Sequence, residues 1–205
     1  MDKQLYRDVA DRIAEDVRAR RFQPGSWLKQ IELQERYGCS RAEVRKALEK
    51  LAHRRMLQYI PNRGYYVYPE DSEKDFEILE IRILLETAAA ERMITQARAT
   101  VIDDLLSLAQ HFDALISTGS IMAIYEANLA FHRALLASAG NRQLVELVDE
   151  LRLRTSSAPA SQWATRLRIE QSSREHFEMV DRLAARDAEG LRRVITAHIR
   201  QSSPD

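Results

Sequence analysis

The sequence predicts a mainly α protein: an N-terminal winged helix-turn-helix followed by a C-terminal all-α antiparallel helical bundle. Three observations carry that prediction. First, a short helical pattern, a glycine turn and a capped helix follow one another over residues 30–51, and two β-prone runs around a turn come next. Second, beyond residue 72 every periodic segment is helical, with apolar residues at three- and four-residue steps. Third, charge divides at the same place: residues 1–70 hold 15 Lys and Arg against 10 Asp and Glu, and the remainder carries the opposite excess, leaving the chain neutral. A basic segment joined to an acidic one suits a nucleic-acid-binding module attached to a second function.

The first helix is expected from Leu5 to Arg20, with Leu5, Val9, Ile13 and Val17 on one face. Phe22-Gln23-Pro24-Gly25 marks a turn, and a second helix runs from Gln30 to Tyr37, closed by Gly38 as C-cap. Ser40 then opens a third helix whose inner face is Val44, Ala47, Leu48 and Leu51. Ser40 caps the free N–H groups of the first turn, and Glu43, three residues on, completes a capping box. Arg41 and Arg45 are four apart, so they project from one face of the first two turns. Arginine is the side chain best shaped to bridge guanine O6 and N7. Alone, this segment reads equally as a capped surface helix with two solvated arginines. Its setting favours recognition: between Arg36 and Arg63 eight basic residues face only Glu43 and Glu49. Leu57–Ile60 and Tyr65–Tyr68 flank Pro61-Asn62-Arg63-Gly64, a hairpin pattern that makes a wing. Arg63 at its tip would lie near phosphates or the minor groove, the alternative being a structural hairpin with an exposed arginine.

Pro69-Glu70-Asp71-Ser72 marks the boundary between a domain at 1–69 and one at 72–205. The second is expected as helices at 74–98, 101–117, 121–138, 142–156, 160–186 and 188–201. Ser72 with Asp75, Thr100 with Asp103, and Ser120, Asn141 and Asp187 are the candidate caps. Trp27 and Trp163 are expected as packing aromatics, His53 and His111 as unremarkable histidines, and Cys39, the single cysteine, as a small packing residue in the turn. One cysteine excludes an intrachain disulfide and fits a reducing compartment. With no apolar signal core after Met1 and no run long enough to span a bilayer, the expected location is cytoplasmic, with no membrane partner.

Three histidines stand on the inner faces of different helices: His132 with Tyr125, Asn128, Leu135 and Leu136; His176 with Ser172, Met179, Val180 and Leu183; His198 with Leu191, Val194 and Ile195. Each alone is more often a hydrogen-bonded core residue than a ligand. Three together, with the amide of Asn128 one turn before His132, open the alternative of a divalent metal site inside the bundle. Neutral imidazoles suit zinc, nickel, copper or iron, with zinc or nickel the leading choices. Neutral ligands would leave the ion's charge uncompensated and draw in an anion such as a small carboxylate. Arg82 is a candidate second positive group for that anion, or else a surface arginine paired with Glu80 or Glu86. No HExxH motif and no inward carboxylate beside the histidines is evident, so a metalloenzyme lacks a general base.

These residues resemble two known families. Gly38-Cys39-Ser40-Arg41-Ala42-Glu43-Val44-Arg45-Lys46-Ala47-Leu48, Leu51 and Asn62-Arg63-Gly64 resemble the winged helix-turn-helix of GntR bacterial transcription regulators. Arg82 to Glu86, Asn128-Leu129-Ala130-Phe131-His132, Gly140-Asn141, Glu175-His176 and His198 resemble the FCD effector domain of the FadR subfamily, in its shorter VanR-like form. The resemblance implies that Arg41 and Arg45 read bases and that Arg63 and Gly64 form the wing tip; with Ser40 and Glu43 of the capping box they make up the expected DNA-binding set. It further implies that Asn128, His132, His176 and His198 hold a divalent metal. Three departures bear on the operator: Ala42-Glu43 replaces a Thr-Pro or Thr-Thr pair, Gln30 stands where an acidic residue is usual, and Arg55 replaces a glycine.

The expected function is that of a non-enzymatic, ligand-responsive transcription regulator. A homodimer would read palindromic double-stranded operator DNA with recognition helices in successive major grooves, about 34–36 Å apart. A small carboxylate effector would bind at the metal. Two alternatives are a regulator for which the metal itself is the signal, and a helical metalloenzyme.

Overall fold

The computed structural model describes residues 8–54, 56–68, 72–152 and 165–200. They form two compact units, one of the described residues up to Ser72 and one of those from Glu73 onward.

In the first unit, α1 (Val9–Arg18) starts behind an Asp8 cap that accepts the Ala10 N–H, and it buries Ala10, Ile13, Ala14 and Val17. Leu5, expected to open this helix, lies outside the described residues. Helices α2 (Gln30–Tyr37) and α3 (Arg41–His53) are joined by Gly38, whose φ of 62° is the left-handed conformation that lets the chain reverse at once. Both α1 and α2 pack on α3, whose Val44, Ala47, Leu48 and Leu51 are buried as expected. One carboxylate ties these helices together. Asp16 on α1 is buried and accepts hydrogen bonds from Tyr37 Oη at 2.7 Å, Arg36 Nε at 2.9 Å and Arg21 at 2.6 Å.

Strands β1 (Leu57–Ile60) and β2 (Gly64–Val67) pair antiparallel with Ile60 opposite Gly64. The Arg63 N–H donates to the Ile60 carbonyl, and Asn62 takes a φ of 62° after Pro61. Proline second and a positive φ third make the type II turn pattern. A third segment joins this sheet: Leu28 N–H donates to Tyr65 O and Val67 N–H to Ser26 O, so Trp27 bridges Tyr66. This corrects the expectation for Trp27. It is half exposed on the sheet rather than packed into a core.

The second unit is helical throughout its described residues: α4 (Ser72–Ala88), α5 (Ala90–Gln96), α6 (Ala99–Thr118), α7 (Ile121–Ala137), α8 (Arg142–Arg152), α9 (Arg166–Ala184) and α10 (Ala188–Arg200). Helix α9 lies against α6 and α10, and α6 against α7. Their shared core includes Leu105, Phe131, Leu135, Met179, Leu183, Leu191 and Ile195, joined by Met93 of α5. Ser120, Asn141 and Asp187 cap α7, α8 and α10 by accepting the N–H groups of Ala123, Leu144 and Gly190.

Three expectations need correction. The helix expected at 74–98 is interrupted at Ala89, two residues beyond Thr87, whose hydroxyl donates to the Ile83 carbonyl; such back-bonding bends helices. Thr100 is not a cap, because α6 already begins at Ala99 with Arg98 in the cap position and no side-chain bond there. The helix expected to run unbroken from 160 instead begins at Arg166, because Thr165 is extended (φ −132°, ψ 155°) and its hydroxyl accepts the Arg168 N–H as a cap. Helix α4 begins at Ser72, beside residues that lie outside the described ones. The expected extension to 156, residues 160–164, Arg55 and Trp163 also lie outside the described residues.

Candidate nucleic-acid interface and metal centre

The start of α3 is built as the sequence predicts. Ser40 Oγ accepts the Glu43 N–H at 3.3 Å, and Glu43 Oε2 accepts the Ser40 N–H at 2.8 Å and its hydroxyl at 2.7 Å. Those bonds hold the Glu43 carboxyl below its ordinary value, so it remains an anion on the helix surface. Its charge is committed to the cap and sits between the two arginines in sequence. Arg41 and Arg45 are exposed, the latter 3.4 Å from Glu49. The hairpin brings Arg63 and Gly64 to the same cleft as Arg41, a space of about 410 Å³ between the sheet, α2 and the first turn of α3. Gly64 has a φ of 97°, and a Cβ there would approach the Trp27 indole nitrogen to 3.1 Å, so glycine serves both the turn and the contact.

Three helices of the bundle bring His132 (α7), His176 (α9) and His198 (α10) to one buried point. Their ring nitrogens converge: His132 Nε2 lies 2.9 Å from His198 Nε2 and 3.3 Å from His176 Nε2. Phe131 stacks on His176 with ring centroids 4.2 Å apart, and Phe112 meets it edge-on at 4.7 Å. Burial pushes the His132 and His176 rings well below the usual histidine range, with the neighbouring charges adding to it, so both are neutral and carry a lone pair.

The tautomer of His198 follows from its partner. Its Nδ1 lies 2.6 Å from Glu175 Oε2, so Nδ1 carries the proton and donates, leaving the Nε2 lone pair aimed at His132. Glu175 is held in turn by a two-point bond from Arg168, at 3.0 and 2.7 Å, and by Gln171 at 3.1 Å. Burial pushes this carboxyl up, but His198 and Arg168 outweigh it and bring it down to about 2. The sequence reading found no inward carboxylate beside the histidines; Glu175 is one. Its apparent place on the helix wheel, next to a buried histidine rather than on an apolar stripe, concealed it.

A single proton on His132 Nε2 can serve only one of its two neighbours. A cation among the three nitrogens would satisfy all of them. Donors bonded at about 2.0–2.1 Å stand about 3.0–3.4 Å apart around one ion, close to the spacing seen here. Asn128 is one turn before His132 on α7, and its buried Oδ1 has no hydrogen-bond partner. An orphaned acceptor on the helix that carries a ligand fits the same role. The residues therefore suit a divalent metal.

Arg82 is buried, not at the surface. Its Nε donates to Glu86 at 2.9 Å, and Arg152 donates to the second oxygen of Glu86 at 2.9 Å. The charges of both arginines act on His132. Arg152 is a residue the sequence reading missed, since nothing in its local pattern marks it as partner to a residue 66 positions away.

A helix-turn-helix with a wing, joined to a helical bundle, defines a class of DNA-binding regulators with a second, all-helical domain. The comparisons agree with that class. The family model "FCD domain" matches residues 77–201 and "Bacterial regulatory proteins, gntR family" matches residues 5–67. The chain belongs to the GntR family of bacterial transcription regulators with an FCD domain, and it is not an enzyme. It is 26% identical over 183 residues to the Nta operon transcriptional regulator of Aminobacter aminovorans, covering 88% of this chain and 84% of that one. To the HTH-type transcriptional repressor RspR of Escherichia coli it is 25% identical over 206 residues, covering 99% and 87%. Among solved structures, E. coli McbR/YncC aligns with a TM-score of 0.63 at 21% identity, covering 94% and 92%. A GntR transcriptional regulator from Rhodococcus sp. RHA1 aligns with a TM-score of 0.60 at 20% identity, over the same shares. Among the described residues no helix is long and apolar enough to cross a membrane.

Proposed function

We propose that this regulator responds to a small carboxylate bound beside a divalent metal in the bundle. Residues 1–69 act as the DNA-binding domain and residues 72–205 as the effector-binding and dimerisation domain of a homodimer on palindromic operator DNA. Among the described residues, and counting α4 and α5 as one helix interrupted at Ala89, six helices run from Ser72 onward, which supports reading this domain as the VanR-like form of the FadR subfamily.

The observation that carries this reading is the convergence of three neutral imidazole nitrogens, 2.9 and 3.3 Å apart, in an apolar bundle. His132, His176 and His198 would hold the ion, with Asn128 as the fourth protein donor. Bound there, a zinc or nickel ion supplies an uncompensated positive charge that a carboxylate oxygen neutralises. Glu175 fixes the His198 tautomer, and Arg168 fixes Glu175. Arg82, with its charge partly offset by Glu86, supplies a second attraction for the anion. On the DNA side, Ser40 and Glu43 hold the first turn of α3 while Arg41 and Arg45 read base edges; Arg63 and Gly64 bring the wing to the backbone.

A thermal-shift screen of the metal-loaded protein against small carboxylates tests the proposal. A binder raises the melting temperature by mass action. The shift must vanish in His176→Ala and shrink in Arg82→Ala. A carboxylate that stabilises wild type and His176→Ala equally would place the effector elsewhere.

A further inference from the structure

The cleft between the sheet and the start of α3 carries more than the recognition helix uses. Its lining includes Lys29, Arg41 and Arg63 and, among the described residues, no carboxylate. The Lys29 ammonium is paired with Glu32 at 2.7 Å, but Glu32 lines the neighbouring groove. Trp27 is 51% exposed, although its backbone is fixed on both sides by the bonds from Ser26 and Leu28 to β2. Its ring is placed as well: the indole nitrogen rests against Gly64, and the Lys29 ammonium stands 5.6 Å from the ring centroid. Ile31, 66% exposed, lies at the same cleft.

A tryptophan held rigidly in water forgoes the free energy of burying a large apolar face. Beside three cations, a surface that offers both charges and an apolar plate is the sugar–phosphate backbone. Phosphate oxygens pair with ammonium and guanidinium groups, and the deoxyribose face packs on the ring. Two cations of this cleft, Arg41 and Arg63, already belong to the DNA-binding set.

We propose that Trp27 and Lys29 form a second DNA contact, seating an operator phosphate at Lys29 and packing the adjoining deoxyribose against the indole. The inference rests on the reading of residues 1–69 as the DNA-binding domain. Backbone contacts carry no sequence information. Trp27 and Lys29 therefore add affinity on any duplex, while Arg41 and Arg45 choose among sequences. On binding, Lys29 exchanges Glu32 for the phosphate.

Trp27 and Trp163 are the only tryptophans, so Trp163→Phe makes Trp27 the sole indole reporter in the full-length protein. The probes are a duplex that the wild-type protein enriches from a random pool and a scrambled duplex of equal length. Trp27 emission is expected to fall on saturation with either. Lys29→Ala and Trp27→Ala each weaken both duplexes by the same factor, roughly three- to tenfold, and Lys29→Ala lowers the slope of log affinity against log salt by about one. Trp27→Phe, which keeps a flat apolar ring, retains most of the affinity. If a duplex binds while Trp27 emission and the affinities of both alanine variants stay unchanged, this proposal fails and the DNA-binding reading stands. A loss confined to the enriched duplex also overturns it, since that would be base reading. Failure to enrich any duplex would sink both.

Discussion

Glu175 shows how one side chain settles the state of another. Imidazole can place its proton on either nitrogen, and only a bond to one of them decides where the lone pair points. The 2.6 Å contact with His198 Nδ1 makes that decision, and the two-point bond from Arg168 keeps the carboxylate from turning away. Glu175→Gln removes the charge that holds both partners. Metal affinity should fall about 10- to 100-fold, as when the carboxylate behind a ligating histidine is lost. Competition against a chromogenic chelator measures this, with the far-ultraviolet dichroism unchanged; equal affinity of the variant and wild type would remove Glu175 from the site. At the other end of the molecule, Arg45 is exposed and only 3.4 Å from Glu49, a weak surface pair that DNA can displace. Arg45→Ala should cost about 1–3 kcal/mol of discrimination between the enriched and a mutated duplex. Titrating both duplexes against the variant gives that difference directly, and retained preference would mean that α3 does not read bases through Arg45.

Helix ends were the most legible elements in the sequence, because a cap is local chemistry. The Ser40–Glu43 box, the left-handed Gly38 and the caps at Ser120, Asn141 and Asp187 each need only a few neighbouring residues, and all form. Ser40→Ala removes both bonds made by the Ser40 hydroxyl and should destabilise the first unit by about 1 kcal/mol, read as a lower urea midpoint of Trp27 emission in the Trp163→Phe background. The three histidines were legible for a similar reason: helical periodicity puts each on an inner face, and a small bundle leaves few places for inner faces to meet. What stayed hidden depends on partners far along the chain. Trp27 looked like a core aromatic until the segment around it paired with β2, and the break at Ala89 carries no glycine or proline to announce it. Asp16 belongs to this hidden class, since an aspartate on an amphipathic helix reads as solvated until Arg36 and Tyr37 fold over it. Burial pushes its carboxyl up, but the bonds from Tyr37 and Arg21 and the charge of Arg36 bring it below the ordinary 3.8. A depressed carboxyl contributes stability that is complete above the unfolded value and is lost as pH falls through the folded one. The first unit should thus weaken below about pH 4. Asp16→Asn should flatten that acid limb while costing about 1–3 kcal/mol near neutrality; an unchanged limb in the variant would assign the acid sensitivity to other carboxylates.

On the scale of the whole molecule, a basic unit for DNA is joined to a bundle whose buried charges favour an anion. Around the histidines, Arg82, Arg152 and Arg168 face Glu86 and Glu175, so the described charges sum to a positive excess even before an ion of charge two is added. That excess is costly in an apolar interior and is relieved by binding an anion. Metal and effector should therefore bind cooperatively, with chelation abolishing the carboxylate's thermal shift. Free metal at a hundredfold over its dissociation constant should by itself add about 2.7 kcal/mol to the stability of the bundle. For the bound acid to regulate, it must have different affinities for the DNA-bound and DNA-free protein, because equal affinities shift nothing. The coupling is then reciprocal: whatever factor the acid applies to operator affinity, the operator applies to the affinity for the acid. Calorimetric titration of the metal-loaded protein with the stabilising carboxylate, with and without saturating enriched duplex, measures one factor; duplex titration with and without the acid measures the other. The two should agree, typically within the fivefold to about 150-fold range of coupled sites. If metal alone produces the full change in DNA affinity and the acid adds none, the ion is the signal. If neither alters it, the proposed effector role of the bundle is wrong.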